Sequence, residues 1–274
     1  MIYVTMQGRQ VPALGFGTWQ LTGDQCVRGV RTALDAGYRH IDTAQAYENE
    51  ADVGRAIAES GVPREQLFVT TKVWTSNFAA PKVKSSVDES LRKLRTDHVD
   101  LLLMHWPSGA VPLAETLGAL REVQAAGKTR AIGVSNFTVA LMRESVERHR
   151  ADIACNQVEY HALLSQKPVL DYARAHGIVV TAYSPLAHGK LIDHPVLRRI
   201  GERHGKTPGQ VALRWLVQQP DVMAIPKATS ERNIRQNVEI FDFELDERDL
   251  KEIEPLTGND RQISPSWAPA WDVA

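Results

Sequence analysis

Six polar positions stand where an apolar run stops and a loop begins: Asp42, Lys72, His105, Ser135-Asn136, Gln157 and Tyr183-Ser184. Tyr47 follows Asp42 by five residues, inside the stretch Gly37 to Glu50. Parallel α/β proteins place their chemistry at the C-terminal ends of strands, which makes these residues the site candidates. Singly, each has a plainer reading: Asp42 as the cap of a turn, Lys72 as a snorkelling surface lysine, His105 as a core histidine, Gln157 as a turn former. Six on one rim argue for a site, because purely structural polar residues would fall equally at both ends of the strands. The nine histidines contain no HExxH pair, so the expected chemistry is that of side chains and not of a metal centre.

Two phosphate-binding look-alikes fail on spacing. Gly201 to Thr207 has three residues between its glycines where a P-loop needs four, and it follows a helix. Thr207, Pro208 and Gln210 read instead as the N-cap, N1 and N3 of the next helix. Gly15-Phe16-Gly17 lacks the third glycine of a dinucleotide fingerprint.

The elements that must position the rim alternate throughout. Tyr3 to Met6 and Gln10-Val11 predict an N-terminal hairpin. Strands are expected at 14–17, 39–42, 68–72, 99–104, 131–134, 153–158, 178–182 and 222–225. Val99 to Met104 is read as a strand buried on both faces. Between them lie helical stretches near 22–36, 51–59, 81–94, 113–126, 139–148, 169–176 and 234–238. Thr22 and Gln25 are expected to form a capping box at the first of these. Eight alternations without a compositional break predict an α/β fold, a (β/α)8 TIM barrel with a short N-terminal hairpin, as one domain over residues 1–274.

The chain has 274 residues, 43% hydrophobic and 24% charged, with a net charge of -1. That balance offers no field for nucleic acid or a membrane surface. Cys26 and Cys155 have no zinc or CxxC spacing and read as ordinary thiols of a reducing compartment. No leader or membrane-spanning run is apparent, so a cytoplasmic location is expected.

Several motifs carry a resemblance to a known family: Gly15-Phe-Gly-Thr-Trp19, Gly37 to Glu50, Thr71-Lys-Val-Trp74, His105-Trp-Pro107, Gly133-Val-Ser-Asn-Phe137, Asn156-Gln-Val-Glu-Tyr-His161, Ala182-Tyr-Ser-Pro-Leu186 and Ile225-Pro-Lys227. In these motifs, over nearly its whole length, the chain resembles the aldo-keto reductase superfamily. Its closing Ile263 to Asp272 and short loops are similar to the bacterial 2,5-diketo-D-gluconate reductases of the B type, which also reduce methylglyoxal.

The resemblance implies an NADPH-dependent reduction of small aldehydes and ketones by the tetrad Asp42, Tyr47, Lys72 and His105. Tyr47 would be the general acid, its pKa lowered by Lys72, with Asp42 holding the lysine and His105 orienting the carbonyl. By the same resemblance Tyr183 stacks on the nicotinamide, and Ser135, Asn136 and Gln157 hold its carboxamide. The cofactor path also takes in Thr18, Trp19, Ser184, Pro185 and Leu186. Its adenosine end falls on Ile225, Pro226, Lys227, Ala228, Thr229, Arg232, Asn233 and Asn237. Trp19, Trp74 and Trp106, with Tyr47 and His105, wall the substrate. Trp267 and Trp271 either lie over this pocket or anchor the tail.

The chain departs from the family pattern near the 2′-phosphate. Ala228 replaces a serine and Asn233 an arginine, and Arg232 and Arg235 are expected to compensate around Lys227. A small-molecule carbonyl is the expected partner, and a monomer the expected form. The competing reading is a cofactor-binding structural or regulatory protein without turnover, since the superfamily contains channel subunits and lens proteins.

Overall fold

The computed structural model describes residues 1–272, so the last two positions of the expected 1–274 span lie outside the described residues. Strands β1 (Tyr3–Met6) and β2 (Arg9–Pro12) pair antiparallel around Gln7 and Gly8, both at positive φ, as a two-residue hairpin turn requires. Eight parallel strands follow: β3 (Phe16–Gly17), β4 (His40–Asp42), β5 (Phe68–Val73), β6 (Val99–Met104), β7 (Thr129–Ser135), β8 (Ile153–Glu159), β9 (Val179–Tyr183) and β10 (Val222–Ala224). Each neighbours the next in chain order.

The ring is closed through the backbone. Leu14 bridges Ala224, Gly15 N–H donates to Ala224 O at 2.8 Å, and Ala224 N–H donates to Ala13 O at 2.8 Å. Residues 14–17 therefore serve both neighbours in turn, which is why regular pairing with β4 is confined to Phe16–Gly17 within the expected strand. The result is a (β/α)8 fold with a separate hairpin.

The helices are α1 (Gly23–Asp35), α2 (Glu50–Ala58), α3 (Ala80–Leu94), α4 (Leu113–Ala125), α5 (Val139–Arg143, continued as a π turn to Arg148), α6 (Lys167–Ala175), α7 (Pro195–His204), α8 (Pro208–Val217), α9 (Glu231–Val238) and α10 (Glu247–Ile253). Thr207 and Gln210 make the expected reciprocal cap of α8. Thr22 does not cap α1 with its side chain, so the expected box with Gln25 is not formed; the Gly23 N–H at the start of the helix donates to Asp52 Oδ2 of α2 at 2.7 Å, an acceptor that sequence spacing cannot show. Periodicity assigns no range to α7, α8 or α10, and α8 is foreseen only through its cap.

β6 is not wholly apolar. Asp100 interrupts it at the base of the barrel, taking Arg64 Nη2 at 2.7 Å and the Val69 N–H at 2.9 Å. Burial pushes the thiols of Cys26 and Cys155 up to about 12, which leaves both as packing residues. Among the described residues no helix is long and apolar enough to cross a membrane.

Candidate active site

The C-terminal ends of the strands open into a cavity of about 1180 Å³. Asp42 ends β4, and Tyr47 closes the short helical turn Gln45–Tyr47 directly after it. Lys72 lies near the end of β5, and His105 follows β6. The Lys72 side chain is fully buried, and its ammonium has three acceptors: Asp42 Oδ1 at 2.5 Å, Thr43 O at 3.0 Å and Tyr47 Oη at 3.3 Å. An ammonium carries three N–H groups, so each has a partner. Because the lysine donates to the phenol oxygen, the phenol's own hydrogen remains available to an acceptor in the cavity.

Burial works against the ammonium of Lys72, but Asp42 and Tyr47 outweigh it and hold its pKa above the ordinary lysine value. Tyr47 departs from expectation. Burial raises its pKa above the ordinary phenol value, and Lys72 opposes this without reversing it. The cause is desolvation: the phenol sits so deep that the lost water counts for more than one neighbouring cation already shared with Asp42. His105 is held well below the usual imidazole range, first by burial and then by Lys72, so it is neutral near pH 7. Its ring meets Tyr47 edge-on at 5.5 Å between centroids and Trp74 at 5.2 Å.

A second network joins the rim to this group. Gln157 Nε2 donates to Asp42 Oδ2 at 2.7 Å, so both carboxylate oxygens of Asp42 are used. Ser135 Oγ donates to Gln157 O at 2.8 Å, Asn136 Nδ2 to His105 O at 3.0 Å, and Tyr183 Oη to Asn136 Oδ1 at 2.8 Å. Asn136 takes positive φ, as do Glu48, Ser184, Ala187 and His188 on the rim loops. Non-glycine residues in this region cost free energy and gather at functional sites.

Of the residues singled out from the sequence, Thr18, Trp19, Asp42, Tyr47, Trp74, His105, Trp106, Ser135, Asn136, Gln157, Tyr183 to Leu186, Ile225 to Lys227 and Asn233 line the cavity. Lys72 lies beneath it. Ala228, Thr229, Arg232 and Asn237 are outside the lining. Arg235 is paired with Glu231 at 2.9 Å, one turn away on α9. The tail tryptophans pack on two of these lining residues. Trp267 meets Trp106 at 4.9 Å and Trp74 at 6.2 Å, and Trp271 meets Trp106 at 6.1 Å. Gln45, His188, Ile192 and Ile263 also line the cavity and were not foreseen. Gln45 follows Asp42 within the same motif, and its Oε1 accepts from the Trp74 N–H at 2.9 Å.

This tetrad at one mouth of a parallel barrel accords with the comparisons. The sequence profile of the Aldo/keto reductase family matches residues 13–257. The chain belongs to that family.

Among aldo/keto reductases it is 47% identical over 266 residues to methylglyoxal reductase DkgB of Salmonella typhi, covering 96% of this chain and 99% of that protein. It is 42% identical over 260 residues to glyoxal reductase of Bacillus subtilis, covering 94% and 93%. A solved structure assigned as a 2,5-diketo-D-gluconic acid reductase B superposes with a TM-score of 0.97 at 50% identity, covering 100% of this chain and 98% of that one. The protein is thus an oxidoreductase acting on carbonyl groups, in a family that generally uses NAD(P)H.

Proposed function

We propose that the protein reduces compact aldehydes and ketones, methylglyoxal and small keto-sugar acids among them, to alcohols with NADPH. The observation that carries this reading is the arrangement of Lys72. All its N–H groups are engaged, one on the phenol oxygen, which leaves the Tyr47 hydrogen free for a carbonyl oxygen in the cavity. The names of the relatives, methylglyoxal reductase and 2,5-diketo-D-gluconic acid reductase B, support the substrate class.

A reduced nicotinamide, when bound, would supply the hydride that a carbonyl carbon needs. Tyr47 gives its proton to the oxygen, and the Lys72 ammonium stabilises the phenolate left behind. The neutral His105 serves as a hydrogen-bond donor to the same oxygen, not as an acid. Asp42 holds Lys72 charged and in place. Trp19, Trp74 and Trp106 shape the substrate side and exclude water.

The lining suits a dinucleotide. Ser135, Asn136, Gln157 and Tyr183 cluster beside the tetrad, and Lys227 and Asn233 line the same cavity beyond Ile225 and Pro226. We assign the first four to the nicotinamide and Lys227 to the 2′-phosphate, with Thr18, Trp19, Ser184, Pro185 and Leu186 along the path. Ala228, Thr229, Arg232 and Asn237 flank the adenosine end. Arg232 has no ion pair among the described residues, whereas Arg235 is engaged by Glu231, so Arg232 is the better second cation. The test is a carbonyl panel followed by loss of NADPH absorbance. Turnover of methylglyoxal with NADPH is expected; stoichiometric cofactor binding without turnover of any carbonyl would overturn the reading.

A further inference from the structure

Glu159 is fully buried at the end of β8, two residues beyond Gln157 and on the same face of the strand. Its carboxylate accepts three N–H groups. His161 Nε2 donates to Oε1 at 3.0 Å, the Gln262 N–H to Oε1 at 2.6 Å, and the Ile263 N–H to Oε2 at 2.8 Å. The tautomer of His161 follows from its other nitrogen, since Nδ1 accepts from the Leu163 N–H at 3.3 Å and Nε2 must therefore carry the hydrogen.

Two of the three donors come from the C-terminal tail. With the tail undocked, a buried carboxylate would keep a single partner, a costly state. Successive amides on different oxygens also fix the register, because a slip of one residue would send an amide away from its oxygen. The register matters downstream. Ile263 lines the cavity, and Trp267 packs against Trp74 and Trp106 of the substrate wall. The far end of the tail is held separately, with Asp272 Oδ2 accepting the Val139 N–H of α5 at 2.9 Å.

We infer that Glu159 is a positioning residue that registers the tail against the substrate wall and so sets the preference for compact over bulky carbonyls. This rests on the carbonyl-reductase reading above. In Glu159→Gln one oxygen still accepts an amide, but the new amide group opposes the other. The ratio of kcat/KM for phenylglyoxal to that for methylglyoxal should rise by roughly tenfold or more, the size expected of a changed hydrophobic wall. The change should appear in KM for the bulky substrate, with NADPH affinity unchanged. Trp267→Ala should act in the same direction, and the double variant should gain little more, since both work through the tail.

Equal loss on both substrates, or additive effects in the double variant, would overturn the inference. Hydrogen exchange on the wild-type protein stands independently of turnover and of the variant's folding. The amides of Gln262 and Ile263 should be protected to the same degree as β8, and exchange of these two at open-chain rates would also overturn it. If no carbonyl is reduced while these amides are protected, the reductase reading fails and the anchor stands.

Discussion

Tyr47→Phe removes a single oxygen from the cavity and leaves the ring that packs edge-on against His105. General acid catalysis contributes about 10² to 10⁴ in rate, so kcat should fall by at least that range while NADPH affinity stays level. Fluorescence titration of the cofactor beside steady-state rates separates the two; a variant with most of its activity would take Tyr47 out of the mechanism. At the other end of the cleft Lys227 is exposed and lines the cavity. A charge-assisted bond to phosphate contributes about 1.5–3 kcal/mol, against about 1.4 kcal/mol for each factor of ten in affinity. Lys227→Ala should therefore weaken NADPH by roughly tenfold or more and NADH little, narrowing the gap between their dissociation constants. Equal affinity of the unmutated protein for both cofactors would show that Lys227 and Arg232 do not grip the 2′-phosphate.

Between elements, the helix ring is held by close approaches that a side chain would block. A Cβ on Gly54 of α2 would lie 2.4 Å from Lys93 O and 2.7 Å from the Leu94 backbone of α3. Alanine gains about 1 kcal/mol of helix propensity over glycine, but overpacking against backbone costs about 1–3 kcal/mol. The clash should win, and Gly54→Ala should lower the midpoint of denaturant unfolding. Gly118 of α4 supplies the contrast, since nothing lies within 4 Å of its Cβ position. Gly118→Ala should raise the unfolding free energy by the propensity gain alone, about 0.5–1 kcal/mol, and the midpoint with it. Opposite signs at two helical glycines would tie the cost at Gly54 to the α2–α3 contact.

At the scale of the whole molecule, buried histidines couple stability to pH. Desolvation holds His40 below the usual imidazole value, and burial with Lys72 does the same for His105. A folded-state pKa below the unfolded one means stability that is fully present above the unfolded value, near 6.5. It is lost as pH falls from there through the folded value. Each histidine contributes a slope of up to about 1.4 kcal/mol per pH unit in that window. Urea unfolding between pH 7 and pH 5 should show the loss, and His105→Gln should flatten it by about one proton's worth. An unchanged slope in that variant would mean His105 takes up its proton without cost in the folded state.

The amino-acid sequence carries the order of the strands and of most of the helices, and the residues of the candidate rim. Both are written in local periodicity and in which residue follows each apolar run. Asp42, Lys72 and His105 could be read this way because parallel strands all end on one side, so a polar residue after each run must share a rim with the others. The rest depends on partners far apart in the chain and on how deeply each group is packed. Asp52 takes the Gly23 amide at the start of α1, where Thr22 was expected to form a capping box with Gln25. Burial, not the neighbouring ammonium, sets the direction of the Tyr47 pKa. Glu159 meets amides more than a hundred residues away. Desolvation and long-range hydrogen bonding are properties of the packed barrel, and no spacing along the chain encodes how much water a phenol loses or which distant amide a carboxylate will find.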